Sequence, residues 1–281
     1  MKPFRGWTPK LLLVFGLLMY VFVYLPMVTM AIYSFNGPED EDRRVRFPWI
    51  YTTGEWHDFS LKWYKELLED RDMKEAFQNS FAVAFWSVTL SVLLGTMTAY
   101  TLYRRKFWGK GLFEQVLYIP LFMPGTIVGV STLMFFRFIG LPRGFWTILL
   151  AHVAFSIPLV TLVILARMQR INWTLEEAAM DLGASQFTAL RKVIFPMLRP
   201  GIFAAALLAF PWSFNDFVIT FFLHGPKYNT LPIMIYGMAG RSGAVSPVIN
   251  SLGTLILFGS LLLIGLSFLL QRQRNQDKGN G

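Results

Sequence analysis

Six long stretches of apolar residues constrain this chain more than any other feature of its sequence. A hydrocarbon core of about 30 Å is crossed by a helix of about 20 apolar residues, and each stretch reaches that length with at most one Asp, Glu, Lys, Arg or His. The predicted spans are residues 11–33, 77–103, 112–136, 146–166, 200–223 and 250–270. We therefore expect an all-α integral membrane protein whose six transmembrane helices form one domain over residues 1–281.

The composition supports a membrane protein and excludes several other classes. Only 15% of the residues are charged, against roughly a quarter in soluble domains. The net charge of +9 is not accompanied by a basic module with interleaved aromatic residues, so we expect no nucleic-acid partner. The chain has no cysteine, which excludes disulfides, thiolate metal sites and cysteine nucleophiles.

The first span has two interpretations. Lys2, Arg5 and Lys10 give the chain a basic start, as in a cleaved signal peptide. The apolar stretch that follows is longer than the apolar region of a secretory signal. We therefore expect an uncleaved membrane anchor.

Basic residues indicate the orientation of the spans. The short connection 104–110 carries four basic residues and no acid, whereas the long segment 34–76 carries eleven acidic against seven basic residues. Basic residues in short loops favour the cytoplasmic side, so we expect both termini in the cytoplasm. Segment 34–76 is then an outer loop, with an amphipathic helix around residues 60–68. The second outer loop, 224–249, contains several prolines and glycines and is predicted to hold a short helix near residues 231–238.

The inner connection between the fourth and fifth spans, residues 167–199, contains the signals of a first short helix. Thr174 and Glu177 have the spacing of a capping box, in which two side chains satisfy N–H groups at a helix start. Gly183 stands where a helix ends in the left-handed conformation.

A second helix follows in the same connection. Ser185 is suited to cap its start, and Pro196 is expected to end it. We call residues 174–196 the hairpin. Each of its two helices carries apolar residues at helical spacing, namely Leu175, Ala178, Ala179 and Leu182 in the first, and Phe187, Leu190 and Ile194 in the second.

The hairpin resembles the EAA loop of permease subunits in ATP-binding-cassette importers. That pattern is Glu-Ala-Ala, three residues, Gly, nine residues, an aliphatic residue, any residue, Leu and Pro. It is matched here by Glu177, Ala178, Ala179, Gly183 and Pro196, with Val193 and Phe195 in place of Ile and Leu. The resemblance implies the type I importer (MetI-like) fold, in which the hairpin is a coupling helix seated in an ATPase subunit. The residues that it assigns to this contact are Glu177, Ala178, Ala179, Asp181, Gly183, Ala184 and Ser185.

The resemblance extends to the spermidine/putrescine branch of that family. The similar stretches are residues 33–36, 61–64, 102–105, 109–110, 152–155, 180–185, 225–226 and 231–232. Two positions differ from that branch, because Gly125 and Asn215 stand where its members often carry an acid. Related branches that import iron(III), thiamine or organophosphonates therefore stay open.

The energy source is expected in other chains. No Walker A sequence is present, and the nearest match, 109–111, lacks the upstream glycine and the following hydroxyl residue. The resemblance implies that ATP and Mg are bound by two partner ATPase subunits. It further implies a second, related permease subunit, an outer solute-binding protein over the two outer loops, and a location in the bacterial inner membrane. This chain is then a non-catalytic subunit without a cofactor of its own.

Asp216 is the acid that lies within the fifth span, and an ionised group at such depth faces a partner or a water-filled pathway. A polyamine needs carboxylates for its ammonium groups and aromatic faces for cation–π contacts. We therefore predict that Asp216, Asn215 and Trp212 belong to the solute pathway. The alternative is that Asp216 holds spans together through a hydrogen bond at a kink made by Pro211.

Two other classes of function are disfavoured. The histidines His57, His152 and His224 have no metal-ligand spacing, and no G-x-S-x-G elbow occurs, so a membrane-embedded enzyme is not expected. His152 is interpreted as a packed hydrogen-bonding residue. A secondary transporter commonly shows repeated halves, and none is visible here.

Overall fold

The computed structural model describes residues 8–37, 59–226, 228–242 and 247–277, and within these ranges the chain is helical without a named strand. The helices that enter the arguments below are α1 (Thr8–Tyr33), α2 (Lys62–Glu69), α3 (Arg71–Arg104), α4 (Lys110–Phe122), α5 (Gly125–Phe138), α6 (Phe145–Met168), α7 (Thr174–Asp181), α8 (Gln186–Ala189), α9 (Phe195–Phe214), α10 (Val218–Leu223), α11 (Leu231–Ser242) and α12 (Pro247–Asp277). A π-helical turn, Leu190–Ile194, joins α8 to α9.

Four helices of the described residues are long and apolar enough to cross a membrane, and they confirm the all-α membrane class. They are Lys10–Tyr33, Arg71–Arg104, Phe145–Met168 and Gln186–Phe214. The bent pair α4 and α5 raises the number to five if it is one span. Helix α12 covers the predicted sixth span, but its described apolar part, Pro247–Leu262, is shorter. The count of six spans therefore stays a prediction.

The third span differs from the single helix that its apolar length suggested. Helices α4 and α5 meet at an angle of 109°. Between them, Met123 has extended backbone angles, φ −79° and ψ 139°. A proline disfavours the helical conformation of the residue before it and has no N–H to donate, so Pro124 ends α4 and starts a new helix in another direction.

The fifth span begins earlier than expected, because Pro196 does not end the second helix of the hairpin. The helix continues from Gln186 to Phe214. In the π-helical turn, the N–H of Phe195 donates to the carbonyl of Leu190, five residues back. This wider turn lets the chain accept a proline at the following position, where a regular helix would place a carbonyl against its ring. The expectation that Pro196 stops the helix is wrong.

The chain divides into two compact units, residues 74–234 and residues 1–73 with 235–281, while the single-domain assignment stays a prediction. In the second of these units, Gly253 of α12 packs against the Met30 side chain of α1. Ser34 Oγ lies 2.6 Å from Tyr64 Oη, which fixes α2 to the end of α1. Helix α2 confirms the amphipathic helix predicted around residues 60–68.

Unit 74–234 has its core between α3, α6 and α9. Gly95 of α3 allows close packing, because a Cβ there would lie 2.6 Å from the Val160 side chain of α6. The core residues shared by these helices include Val88, Ala99, Val160, Ile164, Met168, Ile194, Leu198, Ala205 and Ala209. This core positions the hairpin and the break at the end of α9.

The short helix predicted near residues 231–238 is α11. Tyr228 packs edge-on against Phe145, with ring centroids 5.8 Å apart, and its hydroxyl donates to the Asn79 carbonyl at 3.4 Å. Burial raises the pKa of Tyr228 to about 12, so the phenol remains a neutral donor at physiological pH.

Candidate functional sites

The start of α7 is fixed by Asn172 and not by the expected capping box. Asn172 Oδ1 accepts from the backbone N–H of Thr174 at 3.1 Å and from its hydroxyl at 2.7 Å. The residue before the helix, Trp173, makes no side-chain cap. An Asx turn of this kind competes with capping, so the prediction of a Thr174–Glu177 box is wrong. Asn172, two residues before Thr174, is the sequence signal that could have predicted this turn.

The end of α7 agrees with the prediction for Gly183. Its φ is +88°, in the left-handed region. The Gly183 N–H donates to the Met180 carbonyl at 2.9 Å, and the Ala184 N–H donates to the Ala179 carbonyl at 3.1 Å. These two bonds form a Schellman motif, which closes a helix when a glycine adopts this conformation. Gly183 therefore fixes the direction in which the chain leaves α7.

The second helix of the hairpin is capped as predicted but is not separate. Ser185 Oγ accepts from the Thr188 N–H at 3.3 Å. Because the helix then continues through the π-helical turn into α9, the hairpin joins directly to the fifth span. Helix α8, the π-helical turn and α9 form one continuous helix from Gln186 to Phe214.

The hairpin has an outward face that the described residues of the chain leave uncovered. Leu182 is 90% exposed, Phe187 70% and Leu175 44%. The residues assigned to the coupling contact lie around them: Glu177, Ala178, Asp181, Gly183 and Ser185 are exposed, and Ala179 and Ala184 are partly exposed. The predicted apolar stripe thus lies largely on the surface, and contiguous exposed apolar residues indicate an interaction site.

The inward face of α7 is formed by residues that the sequence analysis did not single out. Glu176 is fully buried, and its Oε2 lies 2.7 Å from Arg104 Nη2 at the end of α3. The approach lacks hydrogen-bond geometry, so the attraction is that of an ion pair. Trp173 stacks on Tyr103, with centroids 5.1 Å apart. Trp173 and Glu176 are three residues apart, which places them on one face of a helix. This spacing is the sequence signal that could have identified the inward face.

Arg167 joins the end of α6 to the start of α9. Its Nε and Nη2 donate to the Met197 carbonyl at 3.1 and 3.0 Å. Its aliphatic stem lies against Gly201, where a Cβ would be 2.6 Å from Arg167 Cγ. The fourth and fifth spans are therefore fixed to each other beside the hairpin.

A polar cluster lies where the fifth span breaks, between α9 and α10. We define it as Ser87, His152, Ser213, Asp216 and Thr220. His152 is buried in α6, with Nδ1 2.7 Å from Ser213 Oγ and Nε2 3.0 Å from Thr220 Oγ1. Ser87 Oγ lies 2.8 Å from Ser213 Oγ. His152 thus connects the two helices across the break, as a packed hydrogen-bonding residue.

Asp216 is held within this cluster. Its Oδ2 accepts from the Thr220 N–H at 2.9 Å and from the Thr220 hydroxyl at 3.0 Å, and lies 3.4 Å from His152 Nε2. An ionised carboxylate only accepts, so the Thr220 hydroxyl donates to it and accepts from His152 Nε2–H. In the neutral ring, Nδ1 then accepts from Ser213. The carboxylate therefore fixes the tautomer of the histidine.

The residues predicted to accompany Asp216 are exposed to different extents. Trp212 is 53% exposed and Asn215 is also exposed, while the Asp216 side chain is 15% exposed. The assignment of Trp212, Asn215 and Asp216 to the solute pathway stays a prediction. Within the described ranges, no three His, Cys, Asp or Glu side chains are grouped as a metal site requires.

A solved structure supports the fold. The crystal structure of a bacterial alginate ABC transporter in complex with an alginate pentasaccharide-bound periplasmic protein contains a chain that matches with a TM-score of 0.65 and 15% identity, covering 97% of this chain and 98% of that one. At this identity the likeness shows the fold alone.

Curated relatives are similar over nearly the whole chain. The spermidine/putrescine transport system permease protein PotC of Escherichia coli strain K12 is 35% identical over 261 residues, which are 93% of each chain. The putrescine transport system permease protein PotI of the same strain is 38% identical over 269 residues, covering 92% of this chain and 90% of the relative.

The family match covers both candidate sites. The sequence profile described as "Binding-protein-dependent transport system inner membrane component" matches residues 91–276, a range that includes the hairpin and most of the polar cluster. Together with the relatives, this match confirms the resemblance read from the hairpin. The chain belongs to the family of inner membrane components of binding-protein-dependent transport systems.

Proposed function

We propose that this chain is the membrane-spanning permease subunit of an ATP-driven importer of polyamines, either spermidine or putrescine. The observation that carries the proposal is the identity of 35% and 38% to polyamine permeases over more than nine-tenths of the chain. Gly125 and Asn215 depart from the acids often found in that branch, so iron(III), thiamine and organophosphonates are the competing solutes.

The proposed assembly contains this chain, a second related permease subunit, two ATPase subunits and an outer solute-binding protein, with both termini of this chain in the cytoplasm. ATP and Mg are bound by the ATPases, and this subunit hydrolyses nothing. The family description names a binding-protein-dependent system, and the alginate transporter was solved with its periplasmic protein. Both support the proposed binding protein.

The hairpin is the proposed contact with the ATPase. Its outward face exposes Leu182, Phe187 and Leu175, and covering apolar area yields about 25 cal/mol per Å². Beyond that face, α8 continues without interruption into the fifth span. An ATPase that closes on the hairpin therefore moves α9 directly, and alternating access to the solute follows from that shift.

Asp216 is the proposed solute-facing acid of this subunit. It lies at a break in a span, and irregular backbone at membrane depth is tolerated where it is buried in protein or lines a water-filled cavity. Its side chain is 15% exposed, and the aromatic ring of Phe214 lies nearby. A carboxylate with aromatic side chains near it suits an alkylammonium group, and Trp212 and Asn215, both exposed, are proposed to line the pathway with it.

Reconstitution tests the proposed function. The chain is co-expressed with the ATPase, the second permease and the binding protein of its system, and uptake of labelled spermidine, putrescine, iron(III), thiamine and a phosphonate is measured in proteoliposomes. We expect ATP-dependent uptake of a polyamine alone. Uptake of another solute would overturn the polyamine assignment, and uptake without the ATPase would indicate a secondary transporter instead.

A further inference from the structure

Glu176 has an environment unlike that of the acid next to it. The Glu177 side chain is exposed, whereas Glu176 is fully buried in the first turn of α7. Burial of an ionised carboxylate is costly unless an opposite charge compensates it. Here the compensating charge is Arg104, whose Nη2 is 2.7 Å away and whose side chain is 30% exposed. The two acids therefore face different partners.

Arg104 makes a second contact with the same segment. Its guanidinium carbon lies 4.8 Å from the centre of the Trp173 ring, within cation–π range. The Trp173 side chain is itself held in place, because its Nε1 donates to the Met168 carbonyl at 3.1 Å and its ring stacks on Tyr103. Charge, stacking and a hydrogen bond thus converge on the residues that begin α7.

The position of Arg104 gives these contacts a mechanical consequence. It is the last residue of α3, a helix of 34 residues, which is about 51 Å long at 1.5 Å per residue. A helix of this kind moves as one body when its end is displaced. The continuous helix Gln186–Phe214 connects the hairpin to the fifth span, but no backbone links α7 directly to α3. The ion pair and the contacts of Trp173 with Arg104 and Tyr103 are what join them.

We propose that Arg104 and Glu176 are positioning residues that lock α7 to the end of α3, so that each stroke of the hairpin drives the second span together with the fifth. This inference rests on the proposed coupling role of the hairpin. The outward face of α7 receives the force from the ATPase, and the inward face passes it to α3 through the ion pair and Trp173.

The test uses the fully assembled importer in proteoliposomes, with ATP hydrolysis and solute uptake measured on the same vesicles. Glu176→Gln keeps the shape of the side chain and removes its charge, and Arg104 then retains access to water. We expect the ATPase to remain bound and the uptake per ATP hydrolysed to fall at least fivefold. The matched control is Glu114→Gln, which breaks the ion pair of Lys110 and Glu114, 3.9 Å apart within α4, and is expected to leave the ratio unchanged.

A double-mutant cycle distinguishes a pair that transmits movement from α7 to α3 from a pair that only stabilises the fold. If the pair acts as a unit, Arg104→Gln with Glu176→Gln lowers uptake per ATP no further than Glu176→Gln alone. If the pair has a purely structural role, the variants lower the amount of assembled importer, but the importer that does assemble keeps its normal uptake per ATP hydrolysed. That result overturns the inference.

Arg104→Lys keeps the charge and supports folding where other variants fail. Since a lysine ammonium lacks the planar fork of arginine, an intermediate loss of the ratio is expected, and an unchanged ratio contradicts the proposal. If the unmodified chain shows no ATP-dependent uptake, the proposed function itself fails. If the unmodified chain shows ATP-dependent uptake and Glu176→Gln keeps the normal uptake per ATP hydrolysed, the proposed function stands and only the proposed link between α7 and α3 fails.

Discussion

The hairpin and the polar cluster are both places where a helix is interrupted, yet they leave their side chains in opposite states. At Gly183 the chain turns with its backbone bonds closed and its apolar side chains, above all Leu182, exposed to solvent. At the break before α10 the polar side chains are closed on one another, and His152 and Thr220 are fully enclosed.

The exposure of the side chains at a helix break indicates what the break is for. A break that satisfies its backbone but leaves apolar area uncovered is prepared for another chain, because exposed apolar clusters mark interaction sites. A break whose polar groups are mutually satisfied is prepared to persist inside the protein. The hairpin is therefore expected to be sensitive to changes that reach its partner, and the polar cluster to changes that leave a hydrogen-bonding group without one.

The largest effect is expected from Gly183→Asp. The variant adds a charge to the outward face of the hairpin, and we expect uptake to fall by about 30-fold, the loss typical of a contact worth ~2 kcal/mol. Radiolabelled uptake, with the amount of subunit in the membrane quantified by immunoblot, measures the effect.

Gly140→Asp is the matched control for that substitution. Gly140 has φ +77°, close to the +88° of Gly183, and a Cβ at either position meets no atom within 4 Å. The backbone strain is therefore similar, and aspartate tolerates this conformation better than most residues. Equal losses in the two variants would mean that strain, and not the ATPase contact, explains the effect at Gly183.

The sequence predicted some of the local features of the hairpin. Gly183 and Ser185 act within one turn of themselves, through a Schellman motif and a cap, so their roles are visible from neighbouring residues. Apolar length identified the helices at 11–33, 77–103 and 146–166 for the same reason, because it depends on consecutive residues only.

Features that depend on distant residues were missed. Nothing near Glu176 in the sequence points to Arg104, and nothing near Asp216 points to His152, since each pair is brought together by the packing of α3, α6 and α9. Pro196 was misread because the π-helical turn before it changes the usual consequence of a proline. The apolar length of residues 112–136 suggested one helix, whereas Pro124 separates two helices that meet at 109°.

A second variant tests the closed state of the polar cluster. His152→Leu removes the ring hydrogen bonds to Ser213 and Thr220, which keep Ser87 and Asp216 as partners, and we expect the free energy of unfolding to fall by about 2 kcal/mol, about 1 kcal/mol for each lost bond. Thermal unfolding of the purified protein in detergent measures this loss. His224→Leu is the control, because His224 lies outside the cluster. Similar melting of both variants would contradict the role of His152 as a bridge.

Asp216→Asn separates the pathway role from the structural one. We expect uptake to fall about tenfold, equivalent to ~1.4 kcal/mol of lost charge interaction with the cationic solute, while the thermal stability changes little. Thr220→Val serves as the comparison, since it removes a hydroxyl donor to Asp216 and keeps the carboxylate. If Thr220→Val lowers uptake as much as Asp216→Asn does, Asp216 acts by holding α9 to α10. The polar cluster would then be purely structural, in contrast to the hairpin.

The smallest effect is expected at Ser185, where the hairpin has both a local and an external role. Ser185→Ala removes the acceptor for the Thr188 N–H, a loss of about 1 kcal/mol for a typical helix cap, whereas Ser185→Asp keeps a capping oxygen and adds a charge. Because α8 is continuous with α9, loss of the cap frays only its first turn. We expect Ser185→Ala to lower uptake about twofold, in line with a few tenths of a kcal/mol transmitted from a frayed terminus. Ser185→Asp is expected to lower it more, because the charge lies on the face that meets the ATPase. Uptake that falls for alanine and is normal for aspartate would show that the cap alone matters at this position, and would remove Ser185 from the contact surface.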